Sequence, residues 1–180
     1  MSAELDIKKE LRASMNGILS ARMREAGMPF KLIFGVELPR LQSIASEFPQ
    51  DRELALCLWS QNIRETRLLA IMLMPPETFT PQTAKEWAEA LQTAEEAQIM
   101  AMMLLPKTRF AKEICMDLLT EGKCLPAVSA CLCLRHLINK EMEMHAEEAE
   151  NLAGMMSKLQ PSANLHLRKA MLALTDVLNM

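Results

Sequence analysis

Apolar side chains recur with the spacing of an α-helix along nearly the whole chain. Ala, Leu, Ile and Met stand three and four residues apart between charged positions, and the prolines fall at the ends of these periodic stretches. Short connections between such stretches make consecutive helices antiparallel. The pattern predicts ten helices, at about 3–25, 38–47, 51–60, 63–74, 81–91, 94–104, 108–121, 126–139, 141–159 and 162–178.

The predicted helices repeat in pairs. Segment 64–73 aligns with segment 95–104 at a shift of 31 residues, and a third copy follows 29 residues later. Ala70, Ala101 and Ala130 occupy the same position of the three copies. Helical pairs that repeat at this spacing indicate a stacked α-solenoid, with the nearly uncharged second helices lining the core. We expect one domain over residues 1–180, built from about five antiparallel pairs.

Composition narrows the class further. The chain has 5 glycines, 16 methionines, no tyrosine and 4% aromatic residues, which argues against an all-β fold. Its five cysteines are odd in number and lie in apolar helical patterns, as expected for reduced thiols in the cytoplasm. The first residues lack the apolar core of a signal peptide, and the longest uncharged run is too short to span a membrane. We therefore expect a cytoplasmic protein with no membrane partner.

The charge balance does not indicate a dedicated nucleic-acid binder. The net charge is −3, with 10 basic and 9 acidic residues in 1–70 and 10 basic and 14 acidic residues in 71–180. Proteins that bind nucleic acid are usually strongly basic, because phosphate contacts dominate their affinity. A local basic face in the first part of the chain stays open.

Two segments carry a family resemblance. The first reads Gly35-Val36-Glu37-Leu38-Pro39-Arg40-Leu41 and runs on to Ile44-Ala45. The second reads Leu54-Ala55-Leu56-Cys57-Leu58-Trp59 and is followed by Ile63-Arg64-Glu65-Thr66-Arg67-Leu68-Leu69-Ala70. Together they resemble the front part of the DNA alkylation repair family of AlkD-like proteins. The resemblance implies a solenoid of HEAT-like helical pairs, and active members excise positively charged N-alkylated purines from DNA.

The residues that the resemblance implies for catalysis are replaced in this sequence. Active members carry a Trp and, about four residues on, a catalytic Asp in the helix of the next repeat. Glu95 stands at the Trp place here, and Ile99 stands at or next to the Asp place. The family's phosphate-binding Arg in the following repeat corresponds to about Val128. An apolar side chain cannot stabilise the cationic sugar formed as the base leaves, so the resemblance favours a non-catalytic relative, a pseudoenzyme.

Two sets of side chains remain candidates. Glu95 and Glu96 lie within a turn of the Asp place and would substitute for it if the register were shifted; alternatively, they are acids favoured by the helix dipole. A DNA-binding strip would draw on basic residues of the first part of the chain: Arg22, Arg24, Lys31, Arg40, Arg64 and Arg67. Alternatively, Glu65 and neighbouring acids pair with these cations on a solvated face, and Arg67 anchors its helix pair through a buried stem.

No cofactor or metal site is expected. Cys131, Cys133 and His136 are ligand types, but the two thiols lie about 200° apart around a helix and cannot face one ion. The sequence also lacks a Gly-rich phosphate loop.

Two functions stay open. The first is a non-catalytic relative of the alkylation repair glycosylases that acts as a binding scaffold. The second is a DNA-binding repair protein, or a glycosylase with displaced catalytic residues. The partner is DNA through a local basic face, or otherwise an unidentified protein.

Overall fold

The computed structural model describes residues 3–140, 144–159 and 164–178. This part of the chain forms eleven α-helices and no strand, with a π-helical turn at Met100–Leu104 and a 3-10 turn at Leu105–Lys107. The α-helices are α1 (Ala3–Ala13), α2 (Gly17–Glu25), α3 (Leu38–Ser46), α4 (Arg52–Trp59), α5 (Arg64–Leu73), α6 (Pro81–Glu89), α7 (Ala94–Ile99), α8 (Ala111–Glu121), α9 (Cys124–Asn139), α10 (Ala146–Lys158) and α11 (Leu165–Leu178).

The chain divides into two compact units, Met1–Thr78 and Phe79–Met180. A single domain over the whole chain therefore stays a prediction. The first residues of the predicted helices 141–159 and 162–178 lie outside the described residues. In the segments that the structure describes, no helix has the length and hydropathy needed to cross a membrane.

The predicted helix 3–25 is wrong, because the chain breaks between α1 and α2. Asn16 has an extended backbone, with φ −117° and ψ 99°, and its side-chain oxygen accepts the backbone N–H of Leu19 at 3.0 Å. This is the geometry of an N-cap, so a new helix begins at Gly17. Asn-Gly at 16–17 is a turn dipeptide, and it outweighs the apolar spacing that continues through it.

The predicted regular helix 94–104 is also corrected. It is α-helical only to Ile99, then π-helical over Met100–Leu104 and 3-10 over Leu105–Lys107. Pro106 has no N–H to donate to the carbonyl four residues earlier, which prevents a regular α-helical end.

The second helices of the pairs are the more buried ones, as their sequence predicts. Every residue of α5 is buried, whereas α4 buries only Ala55, Leu58 and Trp59. In the second unit, α9 packs against α7 and α11, while the first helices α6 and α10 pack against α8. Ala70, Ala101 and Ala130 are all fully buried, which confirms that these positions of the repeat lie in the core.

Candidate nucleic-acid interface

A buried ion pair lies at the start of α5. Arg64 is 2% exposed, and its Nη1 lies 2.9 Å from Oε1 of the fully buried Glu65. The same nitrogen donates to the carbonyl oxygen of Val36 at 2.9 Å. A guanidinium held in this way satisfies a buried carboxylate and a backbone oxygen, so Arg64 presents no charge to solvent.

Glu65 holds the segment that precedes α3. Its carboxylate accepts the backbone N–H groups of Phe34 at 3.0 Å, Gly35 at 2.9 Å and Val36 at 3.3 Å. Residues 34–36 belong to no helix or strand, so their three N–H groups have no partner in secondary structure. The Glu65 carboxylate accepts all three and thereby fixes the backbone conformation of this segment.

Gly35 is a point of close approach between that segment and the start of α2. It has φ +75°, and a Cβ placed there would lie 2.6 Å from the backbone nitrogen of Ser20 and closer still to the carbonyl oxygen of Asn16. The backbone N–H of Asn16 donates to Phe34 at 3.0 Å, and the Ser20 hydroxyl donates to the carbonyl of Ile33 at 2.6 Å. The first turn of α2 is thus fixed to the segment that Glu65 organises.

Arg67 is likewise part of the interior. Its guanidinium lies 3.8 Å from the centroid of the Trp59 ring, and its Nη1 donates to the Trp59 carbonyl at 3.4 Å. The side chain is buried. This cation–π contact joins α4 to α5 and keeps the Arg67 charge away from the surface.

Arg40 is half-exposed and paired. It lies 2.8 Å from Glu10 and 3.5 Å from Glu47, and its Nε donates to the Ser14 hydroxyl at 3.0 Å. Two neighbouring carboxylates neutralise this cation and tie α3 to α1.

The remaining basic candidates, Arg22, Arg24 and Lys31, are exposed. Sequence reasoning missed a fourth, Arg12, which is also exposed at the C-terminal end of α1. None of the four forms an ion pair with a carboxylate of the described residues. We call residues 12–31 the basic segment. Its four cations and its one carboxylate, Glu25, give it a charge of +3 within a chain of net −3.

The two acidic candidates lie at the start of α7. Glu96 is fully buried; its Oε2 accepts the backbone N–H groups of Gln92 at 2.6 Å and Thr93 at 3.1 Å, and the Thr93 hydroxyl accepts the N–H of Glu96 at 3.2 Å. This reciprocal arrangement is a capping box. Glu95 is half-buried.

Glu65 and Glu96 occupy the same position of successive repeats. They are separated by 31 residues, and both are fully buried acceptors of backbone N–H groups. Glu65 holds the distant segment before α3, whereas Glu96 caps its own helix. Both carboxylates therefore have a structural role, although their backbone partners differ.

Apolar side chains fill the other places that the resemblance implied. Ile99 is 5% exposed and Val128 is 1% exposed, so both pack in the core. Neither can supply a charge to a bound nucleotide.

Three buried cysteines lie on α8 and α9, Cys115 on the first of these helices and Cys131 and Cys133 on the second. A hydrogen bond with Cys133 and burial raise the pKa of Cys115 well above its usual value, and burial raises the pKa of Cys131 to about 12. Partial burial lowers the pKa of His136. Within the ranges described, no group of three or more His, Cys, Asp or Glu side chains is placed to hold a metal ion.

The chain was compared with protein families and with curated proteins. A family model described as DNA alkylation repair enzyme matches residues 7–172. No curated protein sequence matches the chain significantly.

One solved structure shares the fold. It is described as belonging to a new family of proteins related to the HEAT-like repeat DNA glycosylases with affinity for branched DNA structures. It matches with a TM-score of 0.80 at 14% identity, over 96% of this chain and 74% of that chain. The likeness confirms the predicted all-α, HEAT-like α-solenoid fold.

Proposed function

Because the chain belongs to the DNA alkylation repair enzyme family, we propose that it binds DNA through the basic segment and does not itself release bases. The observation that carries this proposal is the exposure of Arg12, Arg22, Arg24 and Lys31 without an ion pair among the described residues. Cations that no carboxylate neutralises are available to replace the counterions of a phosphate backbone.

Branched DNA is the ligand class to test first. The solved structure of the same fold represents proteins with affinity for branched DNA structures. A protein of net charge −3 repels a polyanion at long range, so a local positive segment must supply the attraction. Binding is therefore expected to be strongly salt-dependent.

The non-catalytic part of the proposal rests on the start of α7. The buried Glu96 carboxylate accepts the backbone N–H groups of Gln92 and Thr93, and Ile99 is apolar and buried. Neither can approach the sugar of an extrahelical nucleotide as a free carboxylate. A DNA-binding scaffold that keeps the repeat fold fits these side chains better than a glycosylase.

A paired assay tests both parts. The protein is titrated onto a fluorescent four-way junction and onto a fluorescent duplex that contains an abasic-site analogue, each at about 50 and 200 mM salt. It is incubated separately with DNA that carries N-methylated purines. We expect binding that collapses with salt and no base release. Base release that Glu95→Gln abolishes would identify a glycosylase with a displaced carboxylate.

The absence of binding at either salt would remove DNA as the partner and favour a protein scaffold. We also propose that the protein acts in the cytoplasm, a proposal that the five free cysteines, three of them buried, support.

A further inference from the structure

The two most exposed large apolar side chains of the described residues stand together at the start of α2. Ile18 is 72% exposed and Met15 is 60% exposed. They are three residues apart and flank the Asn16 cap. Exposed apolar side chains scattered singly need no explanation, but a close pair at one helix start marks a surface for contact.

This exposure is built into the fold. The first turn of α2 is held by the bond from Asn16 to Phe34 and by the bond from Ser20 to Ile33, and Gly35 leaves room for it to approach. Met15 and Ile18 therefore project from a fixed backbone. A fixed apolar projection binds with little loss of conformational entropy.

Two exposed arginines lie near this apolar pair in the sequence and favour an anionic partner. Ile18 and Arg22 are four residues apart on α2 and share a helix face, and Arg12 lies three residues before Met15. Both arginines are exposed and unpaired among the residues described. A partner must offer negative charge next to an apolar face.

We infer that Met15 and Ile18 form an apolar wedge that packs on the unstacked base faces at a DNA branch point, while Arg12 and Arg22 bind the flanking phosphates. This inference rests on the proposed function and deepens it. Base faces in a continuous duplex are covered by stacking on both sides, whereas the stack is interrupted at a branch point, so that exposing a base face costs less there. The apolar wedge therefore accounts for a preference for branched DNA over duplex, and the two arginines account for the affinity for DNA in general.

Matched variants separate the two contributions. Ile18→Ala and Met15→Ala are compared with Leu172→Ala, which removes a 59% exposed leucine from α11. Each protein is titrated onto a fluorescent four-way junction and onto a duplex of the same length. Because the replaced side chains are exposed, an unchanged unfolding midpoint verifies the fold of each variant.

We expect Ile18→Ala to weaken binding to the junction about tenfold and to leave duplex binding and the salt slope unchanged. A 2-aminopurine base at the branch point should change its fluorescence with the wild type and not with Ile18→Ala. Leu172→Ala should behave as the wild type on both DNA molecules.

Other outcomes overturn the inference in distinguishable ways. If Ile18→Ala lost the same affinity for the junction and the duplex, or lost affinity for neither, the wedge would be refuted while the proposal of DNA binding would stand. Failure of the wild type to bind either DNA would refute the wedge together with the proposed function. Binding to anionic phosphatidylserine vesicles that Ile18→Ala abolishes, without binding to the junction, would assign the same residues to a membrane surface.

Discussion

Glu65 accepts the backbone N–H of Gly35 at 2.9 Å, and this contact joins the core of α5 to the segment on which α2 rests. Arg64 balances the Glu65 charge from the adjacent position, at 2.9 Å. Gly35 in turn allows the backbone of Ser20 to approach closely, so the buried pair holds the segment against which the first turn of α2 packs. The residues Gly35, Arg64 and Glu65 that carry the family resemblance thus stabilise the interior of the first unit. The exposed positive charge belongs to the basic segment instead.

Removing the Glu65 charge should destabilise the first unit strongly. Glu65→Gln keeps the volume but removes the negative charge that lies 2.9 Å from the buried Arg64 guanidinium, and it turns an amide group towards backbone donors. We expect a loss of about 3–5 kcal/mol in the free energy of unfolding, measured by urea titration. The exposed Glu53→Gln, within α4, is the control. Equal stabilities of the two variants would contradict the role given to the pair.

A comparison of Gly35 with Gly27 measures how much the close approach of α2 to Gly35 contributes to stability. Both have positive φ, +75° and +79°, but a Cβ at Gly27 meets nothing within 4 Å. Gly27→Ala should therefore lose only the backbone preference, about 1–2 kcal/mol. Gly35→Ala adds a clash with Ser20 and should lose about 3–5 kcal/mol in the same unfolding measurement. If the two losses were equal, the close contact would carry no energy.

Acid should weaken the contact between α8 and α10. A hydrogen bond from Lys112 at 2.6 Å, followed by the backbone N–H of His145, holds the pKa of Glu148 below 4.5. The folded state therefore releases the proton more readily than the unfolded state, so this contribution to stability is present above pH 4.5 and is lost as the pH falls through the lowered pKa.

The difference in urea midpoint between the wild type and Glu148→Gln should shrink as the pH is lowered from 7 towards the acid range. Glu150→Gln removes a charge from α10 without touching the Lys112 pair and controls for net charge. A difference that stayed constant with pH would show that the Glu148 charge does not matter.

Thiol reactivity should divide the cysteines into two groups. Cys57 is exposed and Cys124 is half-buried, whereas Cys115, Cys131 and Cys133 are buried. In the folded protein at about pH 8, a disulfide reagent should modify Cys57 and Cys124 only, and all five should react in urea. Partial desolvation raises the pKa of Cys57, so its reaction should be slower than that of a free thiol. Rapid modification of all five would contradict the packing of α8 against α9.

Much of the fold was accessible from the sequence because it follows from local pattern. Helical spacing predicted the elements, and the repeat placed Ala70, Ala101 and Ala130 in the core. The break at Asn16 was missed because apolar spacing continues through it, although Asn16-Gly17 is a readable turn signal.

The site was less accessible because it depends on which charges the fold encloses. The sequence offers Glu65 as a partner for the neighbouring arginines and a buried stem for Arg67 as one alternative. Only the packing of α4, α5 and the Val36 segment shows that both guanidinium groups are enclosed. Glu96 was closer to being readable, since Thr93 and Glu96 have the spacing of a capping box. Exposure at Met15 and Ile18 could not be read, because both fit the apolar period of a longer helix.

The salt dependence of DNA binding tests the central claim most directly. The triple variant Arg22→Ala/Arg24→Ala/Lys31→Ala is compared with Arg135→Ala/Lys140→Ala/Lys158→Ala, which removes three exposed cations of the second unit. The dissociation constant for a fluorescent four-way junction is measured at salt concentrations from about 50 to 200 mM. Each lost phosphate contact should reduce the log–log slope by about 1, so the first variant should lose a slope of about 3 and the second should keep the wild-type slope. An unchanged slope in the first variant and a reduced slope in the second would contradict the assignment of DNA binding to the basic segment.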